Sequence, residues 1–244
     1  MHFTSDTRLD DDLRERAFTL GDIPGLLWTA PSPAAQAPLI LLGHPPLGLA
    51  KMYPRLLERA RQIVAQGYAA ATVELPGSGD RPRIAEVDQA RADLQRALRE
   101  GEPVTDDIVD RLVLPLVEQS TVEWRLAIDA LLAVPGIGGP VGYSGGVISI
   151  GVRLARVEPR VRAAVLFAGS FVPRAILAEA REVTVPLHVL LQWDDEGNDR
   201  AAALALFDAF GSREKTLHAN MGGHTGVPAF AGEEGGRFLA RHLK

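Results

Sequence analysis

Residues 140–157 read PVGYSGGVISIGVRLARV, and this stretch decides which fold the chain can form. Its first four residues predict a short strand, and the pattern after the glycines predicts a helix that continues to about Val157. Between them stands Gly142-Tyr143-Ser144-Gly145-Gly146, a G-x-S-x-G pattern at a strand-to-helix turn. We expect a strained backbone and an exposed hydroxyl at Ser144. Glycine is needed two residues before and after it, because a Cβ there would collide.

The rest of the chain repeats this alternation of strand and helix. Apolar runs predict further strands at 39–42, 68–75, 161–168, 186–191 and 215–219. Helical spacing predicts helices at 54–66, 120–134, 200–210 and 231–243, the second opened by a capping box of Ser120 and Glu123. A β-hairpin is expected at 17–30, after a charged, solvated lead-in. The pattern predicts an α/β fold over residues 1–244 as a single domain, with a mostly parallel sheet covered by helices on both faces.

Residues 83–119 interrupt this rhythm, because no strand is predicted within them. Apolar spacing predicts one helix around 84–98 and a second around 108–117, kinked by Pro115. Two interpretations remain open for this helical insertion. It is either a pair of extra helices packed on the core or a small lid that shapes substrate access at the edge of the sheet.

The composition excludes several classes of protein. The 244 residues contain no cysteine, which rules out disulfides, thiolate metal sites and a cysteine nucleophile. A formal net charge of −5 gives no support for nucleic-acid binding. No stretch approaches the ~20 apolar residues that span a membrane, and the polar N-terminus is unlike a signal peptide, so we expect a cytoplasmic protein. No H-E-x-x-H, dinucleotide or P-loop motif occurs, so neither a metal nor an organic cofactor is expected.

A serine hydroxyl is a weak nucleophile that needs a positioned base, and His224 is the preferred candidate. It lies in a glycine-rich loop at residues 220–226, after the last predicted strand. A loop at that place can carry an imidazole over the edge of the sheet. The other histidines after Ser144 fall in predicted strands or in the C-terminal helix, and they are His188, His218 and His242.

The carboxylate that orients the base is expected just beyond the strand at 186–191. Three acids compete there: Asp195 is preferred by its position past the strand-end turn, Asp194 comes second and Glu196 third. The chain order of serine, then acid, then histidine differs from the orders in chymotrypsin-like and subtilisin-like proteases.

Five motifs in this order resemble the α/β-hydrolase superfamily, and within it the dienelactone-hydrolase-like and serine-esterase groups. They are LGHP at 42–45, ELPGSGDR at 74–81, GYSGG at 142–146, WDD at 193–195 and GGH at 222–224. The resemblance covers nearly the whole chain from about Leu39 onward. It implies an α/β-hydrolase fold with an eight-stranded, mostly parallel sheet, and hydrolysis of an ester or related acyl bond in a small molecule.

Two features depart from the family pattern. Dienelactone hydrolases proper use a cysteine nucleophile, which this chain lacks. Relatives often carry His-Gly after the first buried strand, whereas this chain has His44-Pro45-Pro46, and proline has no N–H to donate. We therefore assign the oxyanion-binding N–H groups to Gly145 and Leu47. Lys51 and Tyr53 either contact substrate or form a solvated helix start.

The implied reaction is attack by Ser144 on an acyl carbonyl, with His224 as base, Asp195 as its orienting acid and water releasing the acyl group. Two alternatives stay open: an acyltransferase that uses the same three residues, and a non-catalytic binding module of the same fold. The sequence indicates neither the acyl-chain preference nor an oligomeric state.

Overall fold

One mixed β-sheet organises the residues that the computed structural model describes, which are 1–32, 36–169, 171–224 and 227–244. Its ten strands are β1 (His2–Phe3), β2 (Thr7–Arg8), β3 (Arg14–Leu20), β4 (Ile23–Thr29), β5 (Ala37–Gly43), β6 (Ala69–Val73), β7 (Ile137–Gly145), β8 (Val161–Phe167), β9 (Leu187–Gln192) and β10 (Lys215–Asn220). The helices are α1 (Leu49–Ala65), α2 (Ala85–Glu100), α3 (Asp106–Leu132), α4 (Ile148–Val157), α5 (Arg174–Ala180), α6 (Arg200–Ala209) and α7 (Ala229–Leu243).

The strand order is β1-β3-β4-β6-β5-β7-β8-β9-β10, with β2 paired to β3. All pairings from β6 across to β10 are parallel, and the remaining ones are antiparallel. The carboxyl ends of β7, β9 and β10 therefore meet at one edge of the sheet. The predicted α/β fold is confirmed. The sheet has ten strands rather than the eight expected. The two additional strands are β1 and β2, which are only two residues long each.

The start of the chain is largely exposed, as its charge predicts, but it also joins the sheet. β1 and β2 both pair with β3, and Leu13 is buried against the core. The predicted hairpin is confirmed as β3 and β4, although it begins earlier, at Arg14. Strands this short are stabilised by backbone pairing rather than by an apolar stripe, so their side chains carry almost no periodic signal.

Helices cover both faces of the sheet, and β5 shows how the sequence achieves this. Leu39 and Leu41 pack in the cluster that includes Trp124 of α3, whereas Ile40 and Leu42 pack in the cluster that includes Leu56 of α1. Alternate residues of a strand point to opposite faces, so a continuous apolar run is buried on both sides. α1 and α7 lie on one face, and α3 to α6 lie on the other.

The predicted capping box at Ser120 is wrong, because α3 runs unbroken from Asp106 to Leu132. Ser120 is buried inside the helix, and Glu123 forms a buried ion pair with Arg81, whose guanidinium lies 2.6 Å away. The side chain of Thr105 caps the helix instead, by accepting the Ile108 N–H at 3.4 Å. The apolar face of the helix continues through this region, and its burial outweighs the local start signal.

The proposed insertion at 83–119 forms α2 and the first half of α3, and α2 packs against α3. Pro115 lies inside α3 without ending it. The role of this segment as a lid, and the assignment of the whole chain to one domain, stay predictions. In the described part of the chain, no helix is long and apolar enough to cross a membrane.

Candidate active site

Ser144 is the second-last residue of β7, at the carboxyl edge of the sheet and just before α4. The expected backbone strain at Ser144 is not found, because no described residue other than glycine has a positive φ. The positive values fall on Gly145 (φ 82°) and Gly146 (φ 75°). Glycine adopts this conformation without a steric penalty, so the turn after the serine forms without strain.

The need for glycine on both sides of Ser144 is confirmed, and the structure shows what each glycine approaches. A Cβ on Gly142 would lie 2.7 Å from Leu243 of α7 and 2.8 Å from Ile40 of β5. A Cβ on Gly146 would lie 2.8 Å from backbone atoms of Gly43, at the end of β5. These approaches join the turn at residues 144–147 to the neighbouring strand and to the C-terminal helix.

Arg59 of α1 contacts Ser144 and Gly43, and no sequence pattern singled it out. Its Nη2 donates to the Ser144 carbonyl at 2.5 Å and to Ser144 Oγ at 3.2 Å, and its Nη1 donates to the Gly43 carbonyl at 2.8 Å. Burial lowers the pKa of Arg59 to about 10, so the guanidinium stays charged at neutral pH. The one hint in the sequence is that Arg59 stands next to Ala60 and three residues after Leu56, in the buried stripe of an otherwise polar helix.

Asp195 and His224 lie in the loops that follow β9 and β10, and a hydrogen bond joins them. His224 Nδ1 is 2.7 Å from Asp195 Oδ2, while Asp195 Oδ1 accepts the Gly197 N–H at 3.0 Å. The Asp195 side chain is 6% exposed, so these two contacts fix a nearly buried carboxylate. Asp194 and Glu196, the two alternatives, are exposed.

His224 contacts its acid but not the serine. The imidazole is 85% exposed, and among the described residues Ser144 Oγ has its hydrogen bond with Arg59 rather than with His224. Residues 225 and 226 of the predicted loop lie outside the described residues. The structure therefore brings together two of the three predicted catalytic residues and places the third on a strand end at the same edge of the sheet.

The two assigned oxyanion donors follow neighbouring strands, because Gly145 ends β7 and Leu47 lies in the loop between β5 and α1. Gly145 follows Ser144 directly and stands opposite Gly43 in the ladder between β7 and β5. The Leu47 N–H donates to the Pro45 carbonyl at 2.7 Å, so it would have to leave that bond to bind an oxyanion. His44 is buried, with its ring nitrogens 2.9 Å from the Pro45 carbonyl and 3.0 Å from the Val73 carbonyl.

The other polar residues considered from the sequence have structural contacts. The Tyr53 hydroxyl donates to Glu15 at 2.9 Å, and burial together with this carboxylate raises the pKa of Tyr53 to about 12. Lys51 is exposed at the start of α1. His188 is buried in β9, as its place in an apolar strand predicted.

A cavity of about 670 Å³ lies beside the acid loop. Its walls come from residues 193–201 and include Asp194, Asp195, Glu196 and Asp199. Arg200 also lines it, and its guanidinium stacks 4.6 Å from the centre of the Trp193 ring. The surroundings of Asp195 on this side are therefore polar and rich in carboxylates.

The chain resembles solved structures of esterases over its whole length. One is a cold-adapted esterase from an Arctic intertidal metagenomic library, with 26% identity, 100% of both chains covered and a TM-score of 0.77. Another is an acetyl xylan esterase from Paenibacillus sp. R4, with 14% identity, 99% of this chain and 88% of that chain covered and a TM-score of 0.69.

Acetyl xylan esterase 1 from a Thermoanaerobacterium species has 11% identity, 98% and 87% coverage and a TM-score of 0.67. At these lower identities the likeness to the two acetyl xylan esterases is one of fold alone. No family model matches the chain, and no curated protein matches it.

Proposed function

We propose that this chain, which has the α/β-hydrolase fold and resembles esterases of that superfamily, hydrolyses a carboxylic ester or related acyl bond through Ser144, His224 and Asp195. The observation that carries the proposal is the 2.7 Å hydrogen bond between His224 and Asp195. These residues come from the loops after β9 and β10, and Ser144 lies at the end of β7, on the same edge. The resemblance to esterases supports ester hydrolysis independently of these residues.

The hydrogen bond assigns the proton on the imidazole. A carboxylate only accepts, so Nδ1 of neutral His224 carries the proton and Nε2 keeps its lone pair. Nε2 is then the base that takes the Ser144 hydroxyl proton, and Asp195 stabilises the imidazolium that forms. The base must come within about 2.6–3.2 Å of Ser144 Oγ, and such contacts often tighten only when substrate is bound.

The reaction proceeds in two stages. Ser144 Oγ attacks the acyl carbonyl, and the protonated His224 then returns its proton to the departing alcohol, leaving an acyl-serine. Water, deprotonated by the same imidazole, releases the acid. The Gly145 N–H, with Leu47 N–H as the second assigned donor, would bind the oxyanion in both stages.

The test is turnover of short p-nitrophenyl esters by purified protein. Ser144→Ala should reduce kcat by about 10⁴-fold or more, because removal of the nucleophile leaves only binding and oxyanion stabilisation. Ser120→Ala is a matched control, since this serine is buried in the middle of α3 rather than at the end of β7. Unchanged turnover in folded Ser144→Ala would refute the proposal.

Two further measurements separate the alternatives. A fluorophosphonate probe should label the wild type and not Ser144→Ala, whereas a binding module of this fold would not be labelled. Product analysis with an added alcohol should give mainly the free acid. A dominant new ester would identify an acyltransferase.

The finer expectations remain part of this proposal. They are a small acyl substrate such as an ester, thioester or lactone, a reaction without cofactor or metal, and a cytoplasmic location. A panel of acyl chains of increasing length identifies the preferred substrate.

A further inference from the structure

Two histidines and a glutamate come together on the face of the sheet that α7 covers. In the parallel register, Thr216 of β10 stands opposite His188 of β9, and His218 lies two residues further along on the same face. The rings of His188 and His218 are 4.6 Å apart. Glu234 of α7 reaches this pair, and Nδ1 of His218 is 2.5 Å from Glu234 Oε2.

These side chains offer three ligand atoms in one small space. One atom from each of His188, His218 and Glu234 lies within 4.8 Å of the other two. A tetrahedral Zn²⁺ site with bonds of about 2.0–2.1 Å needs ligand atoms roughly 3.3 Å apart. The shift required from each side chain is therefore about an ångström or less, within the reach of small rotations.

His188 is oriented as a metal ligand would be. Its Nδ1 lies 2.9 Å from Thr216 Oγ1, whereas its Nε2 is buried and without a hydrogen-bond partner. The residue is 4% exposed, so the unpaired Nε2 carries a desolvation cost that a ligand would remove. An outer hydrogen bond that fixes the ring is a regular feature of metal-bound histidines.

The surroundings leave room for an ion to enter. The side chains of His218 and Glu234 are 38% and 31% exposed, respectively. Arg237 is the cation nearest Glu234, at 3.9 Å from Oε1, and it leaves Oε2 facing the histidines. Phe238 closes one side by stacking on His188, with ring centres 5.5 Å apart.

We propose that His188, His218 and Glu234 bind one divalent transition-metal ion of the Zn²⁺ class, with water completing the coordination shell. Two imidazoles and a carboxylate suit Zn²⁺ rather than Ca²⁺ or Mg²⁺, which prefer oxygen ligands. His188 and His218 lie four and two residues before the ends of β9 and β10, so the ion lies about 7–13 Å from the edge that carries Asp195. The site is separate from the residues that we propose to be catalytic.

The site has a consequence for the proposed active site. His218 belongs to β10 and Glu234 to α7, and these two elements flank His224 in the chain. An ion held by both would cross-link the elements on either side of the catalytic base. The role in positioning rests on the proposed function, whereas metal binding itself does not.

The experiment is calorimetric titration of Zn²⁺ into tag-free, EDTA-treated protein, with metal content after dialysis measured by mass spectrometry. We expect one Zn²⁺ per chain, a higher Tm, and no comparable response to Mg²⁺. His218→Gln and Glu234→Gln should each weaken binding by 10-fold or more, and Thr216→Val by about 10-fold. Both side chains are partly exposed, so both ligand variants should remain folded.

Two controls make the result decisive. Glu233→Gln changes the adjacent residue on α7, whose side chain is 71% exposed, and should leave Zn²⁺ affinity unchanged. His224→Gln should also leave it unchanged. Stoichiometry well below one, or binding lost in His224→Gln but retained in His218→Gln, would overturn the metal site. Loss of turnover in Ser144→Ala tests the proposed function separately.

Discussion

Arg59 Nη2 donates a hydrogen bond to Ser144 Oγ at 3.2 Å, so a guanidinium contacts the oxygen that attacks the acyl carbonyl in the proposed reaction. The same side chain also donates to the carbonyls of Ser144 and Gly43, at the ends of two adjacent strands. Arg59 thus both holds the two strand ends together and places a positive charge beside the proposed nucleophile.

Arg59→Met should therefore affect both stability and rate. Loss of the guanidinium leaves buried carbonyls without donors and should lower the free energy of unfolding by about 2–4 kcal/mol. The rate constant kcat should fall by about 10²-fold, because the charge-assisted contact that favours the deprotonated form of Ser144 Oγ is removed. Urea unfolding and ester turnover measure the two effects.

Arg55→Met is the matched control, since Arg55 is exposed one helical turn earlier on α1. Arg55→Met should change neither the free energy of unfolding nor kcat. If Arg59→Met lowers stability but leaves kcat per folded molecule unchanged, Arg59 only holds the two strand ends together.

Asp195→Asn should lower kcat/KM by about 10²–10⁴-fold with little change in stability, because an amide no longer holds His224 in the required tautomer. Asp194→Asn and Glu196→Gln are controls of the same chemistry on exposed neighbours, and both should retain activity. Ester turnover decides among the three acids. A larger loss in either control than in Asp195→Asn would reassign the orienting acid.

Gly146→Ala should lower the free energy of unfolding by about 3 kcal/mol or more. The new Cβ would lie 2.8 Å from the backbone of Gly43, and φ is 75°. Gly101→Ala measures the cost of the positive φ without a steric clash, since φ of Gly101 is 67° and nothing lies within 4 Å of the added Cβ. That control should cost only about 1–2 kcal/mol. Chemical denaturation measures both variants. If Gly146→Ala and Gly101→Ala lose equal free energy of unfolding, the backbone of Gly43 moves away from the new Cβ at no cost.

Glu158 should make the free energy of unfolding depend on pH. The carboxylate is 1% exposed, and the hydrogen bond from Arg160 is the main cause that holds its pKa below the usual range. A pKa that is lower in the folded state means that the unfolded chain binds more protons. The contribution of Glu158 to the free energy of unfolding is therefore fully present above about pH 4.5, and it is lost as pH falls below that value.

Unfolding of wild type and Glu158→Gln at pH 7 and pH 3.5 tests this expectation. The variant should be less stable at pH 7 by about 1–3 kcal/mol, and the difference should shrink at pH 3.5. Glu86→Gln, on the exposed start of α2, is the control. A difference that does not change with pH would contradict the role assigned to Glu158.

Local sequence patterns predicted the elements that make the sheet, with clear exceptions. Leu39 to Leu42 predicted a strand buried on both faces, and the structure confirms this because alternate residues enter separate clusters. Ser120 and Glu123 predicted a helix start that does not exist, because burial of the α3 face overrides a local capping signal. Leu47 was assigned as a donor, yet its N–H is occupied by the Pro45 carbonyl, a contact that no pattern of residue types reveals.

The sequence by itself determined the parallel α/β sheet, the glycines around Ser144 and the absence of cysteine, since periodicity, steric limits and composition are local properties of the chain. Tertiary structure alone decided the rest. It brought Arg59 to Ser144 across 85 residues, and it gathered His188, His218 and Glu234. The physical reason is that each of these contacts depends on how separate strands and helices pack, and strand register and helix docking are not encoded in the residues that make the contact.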